Sequence, residues 1–266
     1  MLEISVLVAG GLLAGTLGGL LGLGGGVVLM PLLRFMFGLS PAHAAGTCIL
    51  AVFFTTLGGS YRHYRLGQVR IRSLVTIILA GAVCTVVFSL AFQYLATHER
   101  WLDLGLGLFF LLVSAHMILG GTIETVGEAG ATTRQGSFLD HAQAKIPQKM
   151  AIGAAGGILP GLLGVGTGVV LVPSFSYILG APIKVAIGYS LMCFCANAFI
   201  SSSIKLAQGF IDSGLALPLC IGTLVGANLG AALNKRFSSR IVHLLFGLVF
   251  FYVSVKFILS FLEVQT

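Results

Sequence analysis

The sequence predicts an all-α integral membrane protein made of two inverted-topology repeats, each a broken, glycine-rich helical hairpin followed by three transmembrane helices. Three observations carry this reading. Of the 266 residues, 57% are hydrophobic and only 9% are charged, whereas soluble domains carry about 25% charged residues. Uncharged stretches such as 73–95, 185–204 and 213–234 approach the ~20 apolar residues that a helix needs to cross a bilayer, and they lack the ~10-residue alternating pattern of a membrane β-barrel. Finally, "GLLGLGGGVVLMP" at 19–31 returns as "GLLGVGTGVVLVP" at 161–173, identical at ten of thirteen positions with an offset of 142. Repetition on this scale marks duplicated architecture.

The register continues through Gly38/Gly180, Gly46/Gly188 and Gly67/Gly209, and "GLFFLLVS" at 107–114 resembles "GLVFFYVS" at 247–254. The first repeat therefore occupies 1–121 and the second 150–266, joined by a polar linker, 122–149, expected on the cytoplasmic side. The start, "MLEISVLVAGG", has no Lys or Arg before its apolar run; it lacks the basic region of a cleavable signal peptide and is expected to stay in the fold.

Each repeat opens with a broken segment, 4–38 and 150–183. As one straight helix the 35 residues of 4–38 would measure about 52 Å, against a hydrocarbon core of about 30 Å. The glycines at 22–26 offer a place to turn, because glycine tolerates backbone conformations other residues avoid. Three spans follow in each copy: 42–60, 73–96 and 102–121, then 185–204, 213–234 and 240–262. Charge favours a hairpin over a single crossing. With hairpins, eleven of the fifteen Lys and Arg fall on one side and only Arg34, Arg100, Lys205 and Lys256 on the other; with single crossings the split is nine to six. The positive-inside rule selects the uneven split, with both termini outside the cytoplasm; two full short crossings per broken segment give the same parity.

Three net crossings per repeat orient the copies oppositely, and equivalent loops do carry unequal charge. Four arginines at 62–72 stand opposite one lysine and one aspartate at 205–212, while "THERW" at 97–101 stands opposite "NKRFSSR" at 234–240. The net charge of +7 is thereby explained by topology, and no nucleic-acid partner is expected. Cys48, Cys84, Cys193, Cys195 and Cys220 all lie in apolar segments, where no disulfide framework is expected. No phosphate-binding loop, zinc helix or nucleophile elbow is present. Neither a metal nor a cofactor is predicted, and the chain reads as a non-enzyme.

Paired interrupted helices are the usual sequence pointer to a transport site at the bilayer midplane. Helices starting near Val27 and Val169 expose unpaired N–H groups and a partial positive charge at their N-termini, which suits an anion. The candidate site comprises Gly24, Gly25 and Gly26, Gly166, Thr167 and Gly168, faced by Thr47, Cys48, Tyr189, Ser190 and Asn197 on the following spans. Thr55 and Thr56 are further polar positions on the same span. The competing use of the glycines is packing: Gly11, Gly15 and Gly19, and Gly222, Gly226 and Gly230, follow small-xxx-small spacing, and hydroxyls and amides equally bond across helices. No Asp or Glu lies deep in a span, so a carboxylate proton relay is not visible. His116, His243 and Lys256 are expected to pack or to snorkel near an interface.

The doubled glycine motif, each copy followed by "AAGTCI" or "AIGYSL" and then by "YRLGQV" or "AQGFID", resembles the TauE/SafE family of prokaryotic sulfite and organosulfonate exporters over almost the whole chain. The resemblance implies a secondary carrier in the prokaryotic cytoplasmic (inner) membrane that moves small sulfur-containing anions such as sulfite or sulfonates. It points to the turns at 22–26 and 164–168 and to Thr47, Cys48, Tyr189 and Ser190. The family often has an acidic residue after the glycine of the next loop: Asp212 follows Gly209, but Arg70 follows Gly67, and the bulkier Tyr189 replaces a small polar residue. The expected function is anion export by alternating access; an anion channel, a thiol-dependent membrane enzyme and a structural membrane subunit are the alternatives. The lipid bilayer and the anion are the expected partners, and a homo-oligomer is compatible with the sequence.

Overall fold

Two helices of 25 residues form the centre of the molecule. In a computed structural model, which describes residues 2–67, 69, 74–123, 146–233 and 239–263, the helices in chain order are α1 (Leu2–Leu21), α2 (Gly26–Pro31), α3 (Pro41–Arg65), α4 (Val75–Ala96) and α5 (Glu99–Ile123), then α6 (Ile146–Leu162), α7 (Gly168–Pro173), α8 (Ile183–Ala207), α9 (Ser213–Leu233) and α10 (Ser239–Glu263). No strand occurs among the described residues. The central pair is α3 and α8, each about 37 Å long at 1.5 Å per residue. The linker at 124–145, the loop residues Arg70, Arg72, Lys235 and Arg236, and the side chains of His116 and His243 lie outside the described residues.

Glycine geometry makes the hairpins. Gly22, Gly24 and Gly25 adopt φ of 75°, 78° and 76°, in the left-handed region that other residues rarely enter. The chain then runs back along α1: Gly25 lies against the Ala14 carbonyl, 2.7 Å from where a Cβ would stand, and the Leu32 side chain lies against Gly10. In a continuous helix residues 14 and 25 would be about 16 Å apart. The second repeat turns at Gly164, φ 66°, and brings Leu171 back onto Gly156. Both return arms pass through a proline, Pro31 or Pro173, into one π-helical turn, Leu32–Met36 or Ser174–Ile178. Each return arm, Gly26–Met36 or Gly168–Ile178, is about 16 Å long, half of a hydrocarbon core. Gly38 and Gly180, both at φ 65°, end the arms, and the Ser40 hydroxyl accepts the His43 amide to cap α3, with Pro41 opening the helix.

Equivalent helices pair with each other or exchange partners. Along α3 and α8, His63 meets Gly188, Gly59 meets Leu191, and Phe53 meets Phe199 with ring centroids 5.5 Å apart; numbers rise on one helix as they fall on the other, so the pair is antiparallel. The same holds for α5 and α10, where Ser114 donates to the Gly247 carbonyl and Ser254 to the Gly107 carbonyl, both at 2.8 Å. By contrast α1 runs parallel to α9, and α4 parallel to α6. Gly11, Gly15 and Gly19 press on the backbone of Leu219, Thr223 and Ala227, while Gly222, Gly226 and Gly230 press on Val8, Leu12 and Thr16. The small-xxx-small glycines are therefore a seam at backbone contact. Apolar side chains on the outer faces, among them Leu79, Val83, Leu217, Ile221 and Leu112, are more than half exposed, as lipid-facing positions are. Among the described residues, five helices are long and apolar enough to span a membrane: α1, α3, α4, α8 and α9.

The central helices outrun their predicted spans. The expected ends at 60 and 204 fall short of Arg65 and Ala207, so Arg62, His63, Arg65 and Lys205, assigned to loops from the sequence, occupy final helical turns. Cations are favourable there because they face the negative end of the helix dipole. Gly15→Leu drives a side chain into the Thr223 backbone and is expected to destabilise the fold by about 1–3 kcal/mol or more, read as a lower melting temperature in detergent or loss of monodisperse protein. Gly105→Ala meets only a Leu163 methyl at 3.2 Å and is expected to melt near the wild type. An unchanged melt for Gly15→Leu would contradict the seam.

Candidate functional site

Mid-height of the α3–α8 pair is where the broken backbone is gathered. The first turn seats Gly26 against Val52 of α3, and Gly24 against the ring of Phe194 of α8; both partners lie at the middle of their helices. The second turn reaches the same level from the other repeat. A Cβ on Gly26 would stand 3.0 Å from the Gly166 amide nitrogen, while Gly166 presses on the Leu23 carbonyl and Gly168 on that of Gly22. Thus Gly24, Gly25, Gly26, Gly166, Thr167 and Gly168 form one buried cluster in which the two turns touch.

Helix α2 begins from Gly25, whose carbonyl accepts from Val28 and Leu29, and α7 begins from Thr167, whose carbonyl accepts from Val170 and Leu171. The first-turn amides ahead of these bonds have no intrahelical acceptor. Thr167 holds φ at −94° where Gly25 needs 76°, which explains why a threonine suits one turn and not the other. Its Oγ1 is buried with no hydrogen-bond partner. Gly25 is a folding residue as much as a candidate ligand contact, since a side chain there would meet both the positive φ and Ala14.

The polar residues of the central helices divide. Cys48 donates to the Gly26 carbonyl at 3.6 Å, and Ser190 to the Gly22 carbonyl at 3.4 Å; these repeat-equivalent positions both hold the first turn. Thr47 accepts the Asp212 amide at 3.0 Å, fastening the loop after α8. Tyr189 is buried with its ring 5.9 Å from Phe175. Thr55 and Thr56 donate to carbonyls of their own helix. Asn197 donates to the Gly156 carbonyl at 3.2 Å and faces Gly81, so it joins α8 to α6 and α4, leaving its Oδ1 buried without a partner. All five cysteines are free thiols, and no group of three metal-ligating residues occurs among the described residues.

Two features escaped the sequence reading. Lys205 is 0% exposed, its Nζ donating to the Pro160 carbonyl at 3.1 Å and lying 4.1 Å from the centre of the Phe92 ring. Near one end of the bundle, Arg34 pairs with the buried Asp103 at 3.0 Å, and Ser260 donates to the same carboxylate at 3.2 Å. These groups line an open depression of about 530 Å³ together with His98 and Arg100. The pair ties the first return arm to α5 and α10. Lys256, in contrast, is exposed beside the rings of Phe35 and Tyr252, as a snorkelling lysine is.

The pattern of the sulfite exporter TauE/SafE family matches residues 7–257. The chain belongs to that family. Its relatives include the probable membrane transporter protein YunE of Bacillus subtilis, 26% identical over 268 residues and covering 95% of this chain and 96% of that protein. A probable membrane transporter protein of Xylella fastidiosa is 27% identical, covering 95% and 94%, and one of Haemophilus influenzae is 30% identical, covering 87% and 84%. This TauE/SafE member is a multi-pass membrane transporter.

Thr167→Val keeps the shape of the side chain and removes a buried hydroxyl without a partner. It is expected to leave stability unchanged or to raise it by about 1 kcal/mol, measured as melting temperature in detergent. A clear loss of stability would mean that the hydroxyl is bonded in the resting protein.

Proposed function

We propose that this transporter is a secondary carrier that exports sulfite or small organosulfonates across a prokaryotic cytoplasmic membrane. The observation that carries the reading is the meeting of two helix-starting glycine turns at mid-height, the second of which holds the unpartnered Thr167 hydroxyl. Oriented N–H groups and a hydroxyl form the donor set that sulfur oxyanions accept from. The antiparallel course of the equivalent helices supports inverted-topology repeats, and the uneven distribution of Lys and Arg supports both termini outside the cytoplasm.

Alternating access then moves cross-repeat bodies. The glycine seams strap α1 to α9 and α4 to α6, so each hairpin travels with a helix of the other repeat. Sliding occurs along the α3–α8 contact, where side chains rather than backbones meet. The turns part and close as the two bodies rock, which exposes the site to one side at a time.

Proteoliposomes containing the wild type are expected to take up radiolabelled sulfite saturably and to show counterflow, and Thr167→Val is expected to raise KM about tenfold at unchanged stability, the loss of one good hydrogen bond to a charged ligand. Flux that neither saturates nor shows counterflow would replace the carrier with a channel. Wild-type KM in Thr167→Val would remove this hydroxyl from the site.

A further inference from the structure

Lys205 is a cation in a place where a lysine ordinarily finds its way out. It stands two residues before the end of α8, where its four-carbon stem could carry the ammonium to an interface, as Lys256 does on α10. Instead it is folded inward to 0% exposure. Among the described residues the only ion pair is Arg34 with Asp103, so no carboxylate balances Lys205. Its contacts are a main-chain carbonyl and the face of Phe92, both neutral. A buried charge held only by neutral partners is costly, and an ionisable group within a span is a functional residue by default.

Its position adjoins the second turn. Pro160, whose carbonyl it contacts, lies in the last turn of α6, four residues before the second turn reverses at Gly164. The Pro160 carbonyl also accepts from Ser201 at 2.7 Å, so it stays satisfied if Lys205 leaves it. Nearby, Gln208 donates to the Ser89 carbonyl at 3.1 Å, while Ser89 Oγ and Gln208 Oε1 are buried without partners. The Ser89 hydroxyl is thus a further donor on the helix that carries Phe92. The offset of 142 that relates the turns also equates Lys205 with His63, buried at 2% exposure, so both repeats bury a basic residue at this position.

We infer that Lys205 is a substrate-binding residue that swings from the Pro160 carbonyl to a small oxyanion in the turn site and supplies its counter-charge, with Ser89 as a second donor. The inference rests on the carrier reading above and adds the cation that reading lacks.

Binding of sulfite to purified full-length protein, followed by thermal shift and by radioligand titration with acetate, oxalate and sulfate as comparison anions, tests it. Lys205→Gln, which keeps a donor for Pro160 and loses the charge, is expected to bind sulfite about 30-fold or more weakly, as expected for losing one partner of a buried charge pair. The ligand-free variant is expected to melt at or above the wild type, because a buried charge without a counter-ion is gone. Sulfite affinity within threefold of wild type would overturn the role of Lys205 and leave the carrier standing. A wild type that ignores sulfur anions but binds another anion through Lys205 would overturn the substrate class alone, and a wild type that binds no anion would overturn both. If Lys205→Gln does not yield folded protein, Lys205→Met, which retains packing on Phe92, decides by the same criteria.

Discussion

A backbone that stops being helical inside a membrane must find partners for its N–H and C=O groups, because lipid offers none. This chain meets that constraint by breaking twice and placing the breaks against each other. Gly26 touches Gly166, Gly166 presses on Leu23, and Gly168 presses on Gly22, so each turn shields the polar backbone of the other. The half-length return arms follow, since each stops where its turn meets the opposite one. So does the exceptional burial of α3 and α8, which must enclose this level from both sides.

The same constraint explains the distribution of glycine. At the turns it supplies left-handed backbone and close approach; in α1, α4, α6 and α9 it lets helix backbones touch, giving van der Waals contact where lipid provides no hydrophobic drive for association. The seams link elements from different repeats, whereas the α3–α8 contact is made by side chains, including Phe53 with Phe199 and Gly59 with Leu191. A molecule fastened tightly along two seams and more loosely across its centre has a defined plane on which to move. That plane contains the two turns, where the proposed anion site lies.

Much of the architecture was legible because it rests on local signals. The doubled glycine motif, the length of 4–38 and the proline and glycine positions foretell a broken hairpin, and the structure turns back at those residues. The small-xxx-small glycines foretell a seam but not its partner, since α1 against α9 is a contact between residues some two hundred positions apart. The central helices run past the expected ends at 60 and 204, with Arg65 and Lys205 in their final turns. Lys205 was hidden for that reason, although the offset of 142, applied to His63, carried the signal that both positions are equivalent. The Arg34–Asp103 pair had no such signal, for it joins helices through tertiary packing alone.

Among the predicted site residues, the glycines, Thr167, Cys48 and Ser190 converge on the turns, whereas Thr47, Tyr189 and Asn197 bond or pack against neighbouring helices and loops. Residue type alone does not separate these uses, because a hydroxyl that binds a carbonyl and one that awaits a ligand read identically in sequence. The most direct measurement is a structure of the protein with selenite, the heavier analogue of sulfite, located by its selenium anomalous signal. One peak between Gly24–Gly26 and Gly166–Gly168, within reach of the Thr167 hydroxyl, is the result predicted here. Selenium only in the depression beside Arg34 and Arg100, or none bound at all, would contradict an anion site built from two opposed turns.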